Sequence, residues 1–202
     1  MDSESNSIES VGSEINLKIC VLGDTLVGKT AIINRFINNA FSNEHDKTIE
    51  EQYTKYSVID NVDCIFDIKD TGGQEEYQTT LDTWIKTSDA FILVYSVDSY
   101  ESFEGVKTRY EKIINKKDKK KLSLIIAGNK CDINDRKVDK TEVENFCNEN
   151  KINFIEVSAM KEINISEVFF DVARQLLKNK YKKRVKQIKK QEKKNKGFCI
   201  FC

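Results

Sequence analysis

The sequence predicts an α/β protein built on a doubly wound, mostly parallel sheet with one antiparallel strand. Two observations predict it. Short, nearly continuous apolar runs alternate with helical apolar stripes along most of the 202 residues, as expected of parallel strands buried between crossover helices. The stretches richest in Gly, Asp and Asn leave the ends of those runs, where ligand loops lie in such sheets.

Taken in order, Leu17 to Leu22 is the first strand and a segment with Ile33, Phe36 and Ile37 on one face is the first helix. Between them stands Gly23-Asp24-Thr25-Leu26-Val27-Gly28-Lys29-Thr30, a G-x-x-x-x-G-K-[ST] pattern in the strand-to-helix context of a phosphate-binding loop. Glycines let successive N–H groups turn inward, and the helix behind adds its positive end. A polar loop from Asn38 to Glu50 follows, then two strands, Tyr53 to Asp60 and Val62 to Lys69, whose Asp60-Asn61 link predicts a hairpin. Asp70-Thr71-Gly72-Gly73-Gln74 leaves the second of them. Tyr77, Leu81, Trp84 and Ile85 fall at helical spacing, and Ala90 to Ser96 reads as a buried strand.

Ser99 is placed to cap a helix striped by Phe103, Val106, Tyr110, Ile113 and Ile114. Lys116 to Lys121 is a basic connection. Leu122 to Ala127 is a further strand that runs into Gly128-Asn129-Lys130-Cys131-Asp132. A helix with Val143, Phe146 and Cys147 and a strand from Ile152 to Val157 lead to the turn Ser158-Ala159-Met160. Asn164 and Glu167 have capping-box spacing ahead of the last helix. Its apolar face (Val168, Phe169, Val172, Ala173, Leu176, Leu177) continues as Tyr181, Val185 and Ile188 into the tail.

The chain is long enough for one domain with a sizeable core and tails. Its 33 Lys and Arg balance its 33 Asp and Glu, but eleven of the bases and only one acid lie from Lys178 onward, leaving 22 bases and 32 acids before it. The organisation expected is a disordered acidic leader over 1–16, a nucleotide-binding body over 17–177 and a polybasic tail over 178–202. An acidic body argues against nucleic acid as a partner, while the basic tail suits an anionic membrane. The longest apolar runs are too short to span a bilayer, and no signal stretch opens the chain. Of six scattered cysteines, Cys20, Cys64, Cys131 and Cys147 read as small core residues of a reducing compartment. The last four residues, Cys199-Ile200-Phe201-Cys202, fit C-a-a-X, which makes Cys199 the expected prenylation site.

Asn129-Lys130-Cys131-Asp132 narrows the expectation from nucleotide to guanine. The Asp132 carboxylate can accept from both N1–H and the 2-amino group of guanine, whereas adenine offers neither donor.

In this order and spacing, the phosphate loop, Thr48, Asp70-Thr71-Gly72-Gly73-Gln74, Asn129 to Asp132 and Ser158-Ala159 resemble the Ras superfamily of small GTPases over about residues 17–177. Asp46 to Tyr53 is most similar to the Ras-type effector loop. The resemblance implies the G-domain fold, GTP and GDP as ligands, slow hydrolysis of GTP, and Mg²⁺ as cofactor. It implies nucleotide binding by Gly23, Asp24, Thr25, Val27, Gly28, Lys29, Thr30, Ala31, Phe41, Thr48, Asp70, Gly73, Asn129, Lys130, Asp132, Ser158, Ala159 and Met160. Thr30, Thr48 and Asp70 would serve the metal. Catalysis would fall to Gln74, Lys29 and Thr48, with Gln74 orienting the attacking water and Lys29 holding β- and γ-oxygens. A guanine nucleotide exchange factor, a GTPase-activating protein and effectors are the implied partners. The implied location is the cytoplasmic face of the plasma membrane, with the cytosol as the alternative. The competing functions are a GTP-binding scaffold with negligible hydrolysis and a trafficking GTPase.

The sequence departs from the family pattern at several points. Thr25 stands where Ras proteins usually carry glycine, and Gly72 where they carry alanine. His45 replaces an aromatic residue, Lys47 a proline and Met160 a lysine. Thr25 and Gly72 bear on hydrolysis, because both would lie beside the γ-phosphate.

Overall fold

A computed structural model describes residues 14–42, 51–71 and 78–198, the last stretch by backbone alone beyond Tyr181. The first strand, β1 (Ile15–Leu22), leads through the phosphate loop into α1 (Lys29–Asn38). The hairpin follows as β2 (Glu51–Ile59) and β3 (Val62–Asp70), which pair antiparallel from Ile59 opposite Val62 to Glu51 opposite Asp70. Asp60 and Asn61 both take positive φ, 50° and 63°, the conformation that a two-residue turn needs to match the twist of its strands. Then come α2 (Gln78–Thr87), β4 (Ala90–Ser96) and α3 (Tyr100–Ile114). The chain ends with β5 (Ser123–Asn129), α4 (Lys140–Asn150), β6 (Asn153–Glu156) and α5 (Ile165–Phe198).

Among the described residues these strands form one six-stranded sheet in the order β2-β3-β1-β4-β5-β6. Every pairing is parallel except that of β2 with β3. Strand burial explains the order. All seven residues of β4 and of β5 are buried, as central strands covered on both faces must be. The edge strand β2 buries little beyond Ile59, which suits an antiparallel strand with one side open to water.

Two apolar clusters lie on opposite faces of the sheet. One joins α1 and α5 to β1, β3 and β4, with Phe36 stacked on Phe169 at a centroid distance of 4.0 Å. The other holds Trp84 of α2, Phe103, Val106 and Tyr110 of α3, and Val143 and Cys147 of α4. Ser99 accepts from the Ser102 N–H at 3.2 Å as the cap of α3, and Asp139 accepts from the Thr141 N–H at 2.8 Å as the cap of α4.

The sheet confirms the expected fold class and corrects details. Strand β1 starts at Ile15 and β2 at Glu51, each two residues earlier than expected. Pairing with β3 extends both, since register rather than hydrophobicity sets where a ladder ends. The basic connection contains a 3₁₀ turn over Lys119–Lys121, capped by Asp118. The capping box at Asn164 does not form. Asn164 has φ 54° and its Nδ2 donates to the Glu156 carbonyl at 2.9 Å, so its side chain ties the turn to the end of β6. The last helix does run on beyond the body, to Phe198. No described helix is long and apolar enough to cross a membrane.

Candidate nucleotide-binding site

The end of β3 and the loops after β1, β5 and β6 meet at one end of the sheet, and hydrogen bonds between them show how closely. Gly23 leaves β1 with φ 155°, and a Cβ there would lie 2.2 Å from the Val94 carbonyl oxygen of β4. Gly28 has φ 92° and closes the loop at the start of α1. No side chain caps α1, which leaves its positive end facing the loop, the arrangement that favours an anion. Lys29 is 4% exposed, and its ammonium donates to the carbonyls of Gly23 at 2.8 Å and Asp24 at 2.9 Å. The lysine is thus folded back over the loop that precedes it. Thr25 is exposed, Val27 is buried and Ala31 half-buried in the first turn of α1.

Asp70, the last residue of β3, is fully buried and accepts from the Thr30 hydroxyl at 2.5 Å. Thr71 behind it donates to the Val21 carbonyl at 3.0 Å, fixing the exit of β3 to the end of β1. A hydroxyl and a carboxylate side by side are hard oxygen donors, which suits Mg²⁺ with its few protein ligands. Thr48, Gly73 and Gln74, together with His45, Lys47 and Gly72, lie outside the described residues.

At the other side of the site, Asn129 is buried, donates from Nδ2 to the Val27 carbonyl at 2.8 Å and accepts at Oδ1 from the Ala159 N–H at 3.3 Å. One side chain therefore joins the phosphate loop, the end of β5 and the turn after β6. The resemblance gives Asn129 and the Ala159 N–H to the base. In this structure each makes its hydrogen bond within the protein. Lys130 takes φ 63° and its ammonium pairs with Asp98 at 3.3 Å. Partial burial of Asp98 opposes its charge, but the Ser96 hydroxyl and Lys130 outweigh that and hold the carboxyl below its ordinary pKa. Asp132 is half-buried, and no described residue gives it a hydrogen bond or ion pair.

The turn after β6 is closed by Ser158, buried, whose hydroxyl accepts from the Lys161 N–H at 2.9 Å. Met160 is 53% exposed beside it. Arg35 of α1 donates to the Ala159 carbonyl at 3.0 Å, and its guanidinium lies 5.7 Å from the centre of the Phe41 ring. Phe41 thereby stands at the same corner as Ala159. Sequence reasoning missed three residues that hold these loops: Arg35, Asp98 and Arg109, the last paired with Asp24 at 2.8 Å. Each is a charged residue remote in sequence from its partner, and no local pattern marks it.

The whole of this geometry lies within the span matched by a family model. Residues 18–178 match the model described as the Ras family. The chain belongs to the Ras family. It is therefore a GTP-binding protein and a GTPase, a hydrolase. Among curated Ras relatives, it is 39% identical over 163 residues to the Ras-like protein rasB of Dictyostelium discoideum, spanning 80% of this chain and 83% of that one. It is also 39% identical over 160 residues to a Ras-like protein of Laccaria bicolor, spanning 79% of this chain and 77% of the other.

Proposed function

We propose that this Ras-family GTPase is a slow, membrane-anchored signalling switch that reads guanine through Asp132. The observation that carries the reading is the Asp132 carboxylate, half-buried beside the loop that Asn129 and Lys130 hold, with no described protein partner. A carboxylate with no described protein partner offers two acceptors that a ligand with two adjacent donors satisfies, and the guanine edge supplies them. The phosphate chain lies along residues 23–30, with Lys29 swinging from the loop carbonyls to β- and γ-oxygens. Thr30 and Asp70, with Thr48, would hold Mg²⁺, which when bound neutralises charge on those oxygens. Gly73 would contact the γ-phosphate and Gln74 would orient the attacking water, so loss of that phosphate would release the segments around Thr48 and around Gly72 to Tyr77.

Among the described residues, Arg35, Arg109, Arg136 and Arg174 are engaged by Ala159, Asp24, Glu156 and Asp60, and a slow turnover that waits on an activating protein is the reading that follows. Exchange factors and effectors are the other partners. The eleven Lys and Arg from Lys178 onward lead to Cys199, and a backbone helix reaches Phe198 just before it. A prenyl chain on Cys199 holds a membrane only marginally, and the basic run adds the second attraction to an anionic inner leaflet.

Two measurements test the proposal. Single-turnover hydrolysis of GTP should be slow in the wild type and at least about tenfold slower in Gln74→Leu, in line with loss of a water-orienting group. Equal rates would remove Gln74 from the mechanism. In cells, the wild type should pellet with membranes and Cys199→Ser should stay in the supernatant. A Cys199→Ser protein that still pellets contradicts the lipid anchor.

A further inference from the structure

The phosphate loop contains one acidic residue, Asp24, and no other carboxylate from Gly23 to Thr30. A negative charge there is unfavourable for a site that must bind a polyanion. Its position is more sensitive still, because the Asp24 carbonyl is one of the two that accept from the Lys29 ammonium, at 2.9 Å. A carboxylate in a loop that wraps a phosphate lies within about one Debye length of it, ~8 Å at physiological ionic strength, so solvent screening removes only part of the repulsion.

Helix α3 answers that charge. The Arg109 guanidinium pairs with the Asp24 carboxylate at 2.8 Å, with 11% of the arginine side chain and 39% of the aspartate side chain exposed. The residue one turn earlier on α3 makes room for the pair. A Cβ on Gly105 would stand 2.7 Å from Arg109 Nη1 and 2.7 Å from Asp24 Oδ2. Glycine at this helix position leaves open the space beside which the two side chains meet.

We propose that Arg109 is a positioning residue for the nucleotide. Through Asp24 it cancels the charge inside the phosphate loop and fixes the peptide that holds Lys29, so that α3 sets how tightly the loop binds a triphosphate. The proposal rests on the assignment of residues 23–30 to the phosphates. Its physical content is a charge balance. Removing Arg109 leaves Asp24 facing the phosphates uncompensated, whereas removing the Asp24 charge first makes Arg109 indifferent to affinity.

The test is a double-mutant cycle on the full chain, with GDP and GTP dissociation constants and melting temperature read together. Arg109→Met should weaken both nucleotides about fivefold to thirtyfold, a 1–2 kcal/mol loss at 1.4 kcal/mol per factor of ten. Arg109→Lys, which keeps the charge, should recover most of that loss. In an Asp24→Asn background, whatever its own affinity, adding Arg109→Met should change binding less than twofold. A loss of the same size with and without the Asp24 charge would overturn the proposal. So would an Arg109→Met affinity within twofold of wild type. Should Arg109→Met fold poorly, Arg109→Gln removes the charge while keeping a polar side chain, and an affinity within twofold of wild type there would equally count against the idea. Lys29→Ala is the separate control. If it binds GTP as wild type does, the loop assignment itself fails and the inference with it.

Discussion

The side-chain amide of Asn129 spans the site: its Nδ2 reaches the Val27 carbonyl at 2.8 Å, a bond between residues 102 positions apart. Because the same amide accepts from Ala159, Asn129→Ala should detach two loops together. The buried Val27 carbonyl then loses its donor, at about 1–3 kcal/mol. Both GTP and GDP should leave faster, and the melting temperature should fall. Gly28→Ala should act on the same contact, since a Cβ there would lie 2.2 Å from Asn129 Nδ2 at a backbone φ of 92°. Nucleotide dissociation rates at wild-type values in both variants would contradict the clamp.

Tyr95 supplies a prediction in the opposite direction. It is fully buried in β4, and its hydroxyl has no hydrogen-bond partner among the described residues. Burial is also the leading reason that its phenol is pushed well above the ordinary tyrosine pKa. Removing the unsatisfied hydroxyl with Tyr95→Phe should therefore stabilise the chain by about 1 kcal/mol. Denaturant unfolding checks this through a higher midpoint at unchanged slope. A lower midpoint would mean that the hydroxyl is satisfied in solution.

Thr25 is exposed in the phosphate loop, at the position that the resemblance to Ras proteins gives to glycine. A side chain there crowds the space into which an activator's arginine must fit, an interaction worth about 10³–10⁵ in rate. Thr25→Gly should raise activator-stimulated hydrolysis severalfold, by more than it changes GTP and GDP affinity. Gly72→Ala, which restricts the backbone just before Gly73, should add to the gain. Identical turnover in wild type, both single variants and the double variant would end this explanation.

The sheet was readable in the sequence because its central strands carry unbroken apolar runs. Ala90 to Ser96 and Leu122 to Ala127 are almost wholly apolar, and β4 and β5 bury every residue. Edges were less readable. Glu51 and Gln52 belong to β2 through pairing with Asp70 and Lys69, a property of the partner strand and not of the residues themselves. The same limit applies at the site. Lys29, Thr30, Asp70 and Asp132 announce themselves by motif spacing, which is local. Arg109, Asp98 and Arg35 act across elements through single long-range contacts. Asn164 shows the converse error, since capping-box spacing was present but its amide found the nearer carbonyl of Glu156.

The central claim is that Asp132 selects guanine, and the direct measurement is nucleotide affinity of Asp132→Asn. An amide there donates where the carboxylate accepts, so it mismatches the 2-amino group of guanine but suits the 2-carbonyl of xanthine. A site built around a substrate hydrogen bond rejects the wrong partner by orders of magnitude. GTP and GDP should bind at least about a hundredfold more weakly to the variant, and XTP and XDP should now bind more tightly than either. A variant that still prefers GTP over XTP would contradict the claim.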